Sequence, residues 1–190
     1  MNLSQVKNRV YEVVELFFSQ ATVAWAEQVM TKPPVPYVTL KMGNIDKTAF
    51  PITDETTDSR YYLCSTILEL NLYTKGRPVS EEKGKTGNYE NTATDDLMEF
   101  VKFLESAEIV DQLADIGIEL NPPVRDLSEL LNDAKYRYRA MAEFTVSYTE
   151  VAAGRYGVSN MLQIPNSSGG GSKEIAVEIQ HFDSVEVKEE

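Results

Sequence analysis

One cysteine and one histidine in 190 residues set the first limits on this chain. A single thiol closes no internal disulfide, so oxidative stapling is excluded. Cys64 sits inside an apolar, strand-like run, where a small buried hydrophobe is the plain reading. His181 stands far from it near the C-terminus, and the two offer neither zinc-ligand spacing nor a motif for a cysteine nucleophile. Long apolar runs are also missing. Glu, Gln or Asn interrupts each stretch before the roughly 20 residues that a spanning helix needs. The opening Met1-Asn2-Leu3-Ser4-Gln5-Val6-Lys7 lacks the basic and apolar regions of a secretion signal. The expectation is a protein kept in the cytosol where it is made, with no membrane partner. Positive charge is scarce, with 18 Lys and Arg against 30 Asp and Glu and a net charge of −12. Nucleic-acid binding by counterion replacement and docking on anionic lipid both need the opposite sign.

What is present reads as an ordinary globular domain, 42% hydrophobic and 25% charged. The length suits one well-buried core and is short for two. A single domain over residues 1–190 is expected, with its core at about 3–151, a flexible loop at about 154–172, and a last strand with an acidic tail over 173–190.

Helical spacing of Val6, Val10, Val13, Val14 and Phe17 predicts a first helix over 3–18, capped by Asn2 or Ser4. A short strand with Val23 and Trp25 follows over 21–29. Lys32-Pro33-Pro34-Val35-Pro36 excludes both helix and central strand. Tyr37-Val38-Thr39-Leu40-Lys41-Met42 is a second strand, and 43–59 is a long loop or excursion. Residues 60–74 form a long strand. Cys64, Thr66, Leu68, Leu70 and Leu72 share one face, and Tyr61, Leu63, Ser65, Ile67, Glu69, Asn71 and Tyr73 the other. Apolar residues on both faces suggest a strand covered on two sides or against another subunit.

A second long loop, 75–91, precedes a helix capped by Thr92 or Thr94, with Asp95 and Asp96 in its first turn and Leu97, Phe100, Val101 and Leu104 on its buried stripe. A short helix over 108–116 closes at Gly117, a brief strand 118–120 stops at Asn121-Pro122-Pro123, and 126–131 makes a helical turn. The clearest strand is 135–151, where Tyr136 to Tyr148 alternate with Arg137, Arg139, Met141, Glu143 and Thr145. Residues 175–179 alternate once more. Strands follow strands without βαβ alternation, which favours an α+β fold: a mostly antiparallel β-sheet, helices packed on one face, and long loop excursions.

No motif in the sequence carries a reaction. Gly84-Lys85-Thr86 has the ending of a phosphate loop, but Val79 stands where its first glycine belongs and no apolar-periodic helix follows. The pairs Asp54/Glu55, Glu81/Glu82, Asp95/Asp96 and Asp111/Asp115 read as solvated loops and helix faces, without the ligand spacing of a calcium loop. Arg137 and Arg139 project from one face, where pairing with acidic neighbours across the sheet or in an adjacent subunit is favoured over anion binding. No catalytic residue, metal ligand or cofactor is expected, and so no enzyme.

The order of segments resembles the bacteriophage neck/tail-terminator family, the tail completion ring proteins of phages, prophages and phage-tail-like particles. The likeness rests on the first helix with the short strand at Trp25, on Pro33-Pro34-Val35-Pro36-Tyr37-Val38-Thr39, and on the strand 61–73 followed after a polar loop by the helix 95–104. It rests also on Asn121 and Val124-Arg125-Asp126-Leu127, leading to Tyr136-Arg137-Tyr138-Arg139-Ala140. It covers about 6–148. Residues 43–59, 75–91 and 154–190 depart from it. The resemblance implies a virion protein assembled in the host cytoplasm: a homo-hexameric ring at the head-proximal end of the tail tube. Such a ring stops polymerisation, docks to connector and neck proteins, and lets DNA pass through its lumen. Its partners are copies of itself, the tail tube protein and the connector. The alternatives are another head–tail joining ring (head completion or stopper) or a small partner-binding α+β domain. The expected interface uses the two long strands, through Arg60, Tyr61, Leu63, Ile67, Glu69, Tyr73, Arg137, Arg139, Met141 and Glu143. Charge reversal at Arg137 and Arg139 together is expected to impair assembly while sparing the fold.

Overall fold

Asn2 starts the first helix, α1 (Leu3–Phe17). The computed structural model of the chain describes residues 1–28, 31–54, 56, 59–78, 89–132 and 135–153. The Asn2 side chain accepts from the Gln5 amide, and the Gln5 side chain accepts from the Asn2 amide, both at 2.9 Å. This reciprocal cap satisfies two of the N–H groups that a first turn leaves unpaired. Val6, Val10, Val13 and Val14 recur at helical spacing and all are buried.

The remaining elements are β1 (Thr22–Trp25), a 3-10 turn (Ala26–Gln28), β2 (Tyr37–Lys47), β3 (Ile52–Asp54), β4 (Ser59–Thr74), β5 (Arg77–Pro78), β6 (Tyr89–Glu90), α2 (Ala93–Leu104), α3 (Ala107–Gln112), β7 (Ile116–Asp126), β8 (Glu129–Asn132) and β9 (Lys135–Ala153). The main sheet runs β1-β2-β4-β9-β7, with β8 added to β9. β1 lies parallel to β2, while β2–β4 and β7–β9 are antiparallel. Contacts of Cys64 with Glu150 and of Asn71 with Arg139 run in opposite order along β4 and β9, so this pair is antiparallel as well. The chain is an α+β protein with a mostly antiparallel sheet, as its patterning predicts.

The chain divides into two compact units, Met1–Ala49 with Leu63–Glu150, and Phe50–Tyr62 with Val151–Glu190. In the first, α1 and α2 pack on the sheet face that carries Val38, Leu40, Leu68, Leu70, Leu72, Phe144 and Val146, all buried. Phe100 of α2 ties this core together. Its ring centroid lies 5.3 Å from both Phe17 and Phe18 and 6.1 Å from Phe144. Fully burying a side chain of this size is worth about 1.5–3 kcal/mol, so the cluster fixes α1 and α2 on the sheet. In the second unit, β3 pairs antiparallel with the start of β4, through Ile52↔Tyr61, Thr53↔Arg60 and Asp54↔Ser59.

Several local expectations need correction. Residues 43–47 extend β2 past a bulge after Met42, and 52–54 form β3, so these parts of the stretch 43–59 are strand. The polar composition hid the end of β2 because residues 43–47 are exposed and carry no apolar face. The second helix begins after Thr92, but the Thr92 hydroxyl donates to Asp96 Oδ2 at 2.8 Å instead of capping. Asn91 Oδ1 accepts from the Ala93 amide at 3.1 Å in its place. α3 ends at Gln112, and Ile116 and Gly117 belong to β7. β7 runs through Pro122-Pro123, joined by a cis peptide, because the register shifts between Asn121 and Arg125 and the prolines fall in the irregular stretch. Of the helical turn expected at 126–131, Asp126 ends β7 and 129–131 belong to the strand β8, paired with β9. Gly84-Lys85-Thr86, the loop 154–172, the strand 175–179 and His181 lie outside the described residues.

Candidate functional site

Alternation along β4 and β9 sends even-numbered residues into the helix-covered core and odd-numbered ones to the opposite face. That outer face carries a connected cluster of cations, rings and amides. Arg139 donates from Nε and Nη2 to Asn71 Oδ1 at 3.1 and 2.7 Å, and its guanidinium carbon lies 5.4 Å from the Tyr73 ring centre. Asn71 in turn donates to Glu69 Oε1 at 2.8 Å. Tyr73 stacks on its register partner Tyr37 at 4.3 Å and 14°. Lys32 Nζ lies 5.8 Å from the Tyr73 ring centre. Arg137 Nη1 meets Glu129 Oε1 at 2.6 Å, across the β8–β9 register. Farther along, Arg125 approaches Glu143 at 3.7 Å, and Thr145 donates to Asn121 at 3.0 Å.

The electrostatics follow from this crowding. Burial pushes the Tyr37 phenol up, Tyr73 adds to the rise, and Arg137 and Arg139 oppose it. Burial and then the neighbouring Arg137 lower Lys32. Cation–ring contacts of this kind contribute about 0.5–1 kcal/mol each at exposed sites. The cluster is therefore a charged and aromatic group in which Tyr37 and Asn71 are buried.

Each residue singled out in the sequence has a definite place. Glu69, Tyr73, Arg137 and Arg139 meet in this cluster, and Glu143 lies along the same face. Met141 is 8% exposed. Leu63 and Ile67 are the bare apolar residues of β4, 58% and 43% exposed. Arg60 and Tyr61 belong to the second unit, half-buried opposite Thr53 and Ile52 of β3. Sequence reasoning missed Tyr37, Asn71 and Lys32 as members, and Glu129 as the partner of Arg137. Glu129 was hidden by the helical reading of 126–131. Asn71 was on the predicted face but carried no signal of its own.

The lone thiol has a different setting. Cys64 is 1% exposed, with Sγ 3.9 Å from Glu150 Oε2, which also pairs with Lys47 at 2.8 Å. Burial, with Glu150 adding to it, raises the thiol above its ordinary range, which holds it protonated and a poor nucleophile. Among the described residues no group of three or more His, Cys, Asp or Glu is placed to hold a metal, and no helix is long and apolar enough to cross a membrane.

A model of the phage neck terminator protein family matches residues 4–175, a span that takes in each strand named above. The chain belongs to the phage neck terminator protein family. A search of curated proteins returned no match. A phage neck terminator protein is a structural component of the virion tail and neck that works with other tail and neck components.

Proposed function

We propose that this neck terminator protein is the subunit of a homo-hexameric ring. The ring caps the head-proximal end of the tail tube, ends tube polymerisation, joins the tail to the connector, and leaves a channel for DNA. The observation that carries the reading, beyond family membership, is the outer face of the long strands β4 and β9. It combines the exposed Leu63 and Ile67 with an Arg–Tyr–Asn cluster. Interfaces favour Arg and Tyr as anchors. A ring repeats one contact between two different patches until the rotation closes. The net charge of −12 suits a lumen that DNA traverses without adhering.

The test is the mass of the purified protein in solution, by light scattering behind a sizing column, with and without tail tube protein. A hexamer, or a monomer that becomes a ring on the tube, supports the proposal. A strict monomer indifferent to the tube defeats it.

A further inference from the structure

We propose that the open edge of β7, over residues 116–121, takes up an extended basic segment of another tail or neck protein as an added strand. The contact needs such a partner and does not need ring closure. Among the described residues β7 ends the sheet, so its side turned away from β9 carries backbone N–H and C=O groups with no strand opposite. Proteins commonly blunt such edges. The second half of β7 is blunted by Pro122-Pro123 and by the register shift between Asn121 and Arg125. The opposite edge, β1, is four residues long. Residues 116–121 have neither device, and pair with β9 in unbroken register from Ile116↔Tyr148 to Asn121↔Glu143. A stretch of this length spans roughly 20 Å.

An apolar groove of about 480 Å³ lies against the start of this stretch, within the first unit. Leu104 of α2, Val110 and Leu113 at α3, and Ile116 and Ile118 of β7 line it, and Asp115 is the one charged residue among its described lining. Val110 is 54% exposed. In strand addition, main-chain hydrogen bonds give the affinity and pockets for alternate side chains give the specificity. A strand laid along β7 turns every second side chain toward the face that carries Ile116 and Ile118, so its aliphatic positions meet this groove.

The charge around the edge identifies the occupant. Glu105, Glu108, Asp111, Asp115 and Glu119 are all exposed, and no Lys or Arg stands between 103 and 124. None of these carboxylates is in an ion pair among the described residues. Arg9 comes near, but donates to the Gln112 carbonyl at 3.1 Å. Two β7 edges brought together would set like charges against each other, which disfavours a second copy. The chain's own alternation of cations with rings, Lys135 to Arg139, already lies in β9 and pairs with β8. A segment of another protein that alternates Lys or Arg with aliphatic residues satisfies the edge, the groove and the carboxylates at once.

The experiment uses the full chain and a short synthetic peptide that alternates lysine with valine. Amide exchange over 116–121 should slow when the peptide is added, while exchange in β1 stays the same. The same peptide methylated on its backbone nitrogens keeps its charge but cannot donate to an edge, and should bind about tenfold more weakly or worse. A peptide alternating glutamate with valine should give no protection. Val110→Lys, at an exposed wall of the groove, should weaken the lysine peptide about tenfold with the melting curve close to wild type. Equal binding of the methylated peptide, or protection spread over the acidic surface without a maximum at 116–121, would reduce the contact to plain charge attraction and overturn the added strand. Protection of 116–121 that grows with the concentration of the chain alone would assign the edge to a second copy and overturn it as well. A strict monomer that takes up the peptide on β7 defeats the ring and keeps this contact, whereas a ring whose β7 amides gain no protection does the reverse.

Discussion

Arg139 directs two nitrogens, Nε and Nη2, at the same oxygen of Asn71. Asn71 is 5% exposed, so this bond is shielded from water and joins β9 to β4. Asn71→Leu leaves the guanidinium without its acceptor in a half-buried place. The expected loss is about 1–3 kcal/mol, read as a lower urea midpoint with unchanged slope. An unchanged midpoint would mean that water replaces the amide. The same geometry alters the expectation for charge reversal. A glutamate at 139 would face Glu69 and the emptied Asn71 oxygen, so it weakens the subunit as well as any contact between subunits.

Phe100 is at the centre of the aromatic cluster, 1% exposed and in ring contact with Phe17, Phe18 and Phe144. Phe100→Ala should cost about 3–5 kcal/mol, a large part of the 5–15 kcal/mol typical of a domain. The check is thermal or denaturant unfolding. A loss under about 1 kcal/mol would show that the surrounding rings collapse into the space.

The parts of this fold that were legible are those where one face meets oil and the other water. α1 and the long strands announce themselves through Val6-Val10-Val13-Val14, Leu68-Leu70-Leu72 and Ala142-Phe144-Val146, because burial imposes a period on the sequence. β8 and the second half of β7 impose none. Their pairing comes from register with β9, set at long range by Glu129↔Arg137 and Arg125↔Met141. Proline at 122 and 123 reads as a stop, yet an irregular register lets the strand continue through it. The candidate site was legible as a face and not as a cluster. Strand alternation fixes which way Tyr73 and Arg139 point, while the stack of Tyr37 on Tyr73 depends on a pairing that local sequence does not encode.

Tyr148 is 4% exposed and its phenol is pushed up to about 12, by burial first and then by Cys64 and Glu150. Below pH 10 the phenol is neutral in both folded and unfolded chains, and the stability it contributes is fully present. Between pH 10 and about 12 the unfolded chain ionises and the folded one does not, so stability falls through that window. A rise from 10.0 to about 12 corresponds to roughly 3 kcal/mol. Tyr148→Phe should therefore flatten the stability curve between pH 10 and 12 relative to wild type. Parallel curves for the two proteins would show that other groups carry the alkaline loss.

Gly76 has a φ of +75°, and a Cβ there would overlap the Glu90 carbonyl oxygen and crowd the Tyr138 ring. It turns the chain into β5 so that β6 can pair with it, and Tyr138 then donates to the Tyr89 carbonyl at 2.8 Å. Gly76→Ala adds left-handed strain of about 1–2 kcal/mol to a steric clash. Amide exchange at Arg77 and Glu90 should accelerate while the α1 core stays protected. Equal protection in both proteins would mean that the ribbon shifts without cost.

The location of the subunit interface is separable from the existence of the ring. Arg137 pairs with Glu129, with side chains 28% and 56% exposed, a bond worth about 0–1 kcal/mol. Arg137→Glu should therefore leave the fold close to wild type, unlike a change at Arg139. Ile67→Asp replaces an apolar side chain that is 43% exposed, so it too should spare the core. If the outer face contacts a neighbouring subunit, the two changes together should abolish ring mass in light scattering while the melting curve moves little. Glu129→Ala serves as the control, since it breaks the same ion pair without reversing charge on β9. Rings of wild-type mass in the Arg137→Glu, Ile67→Asp protein would remove this face from the interface and leave ring closure to other surfaces of the subunit.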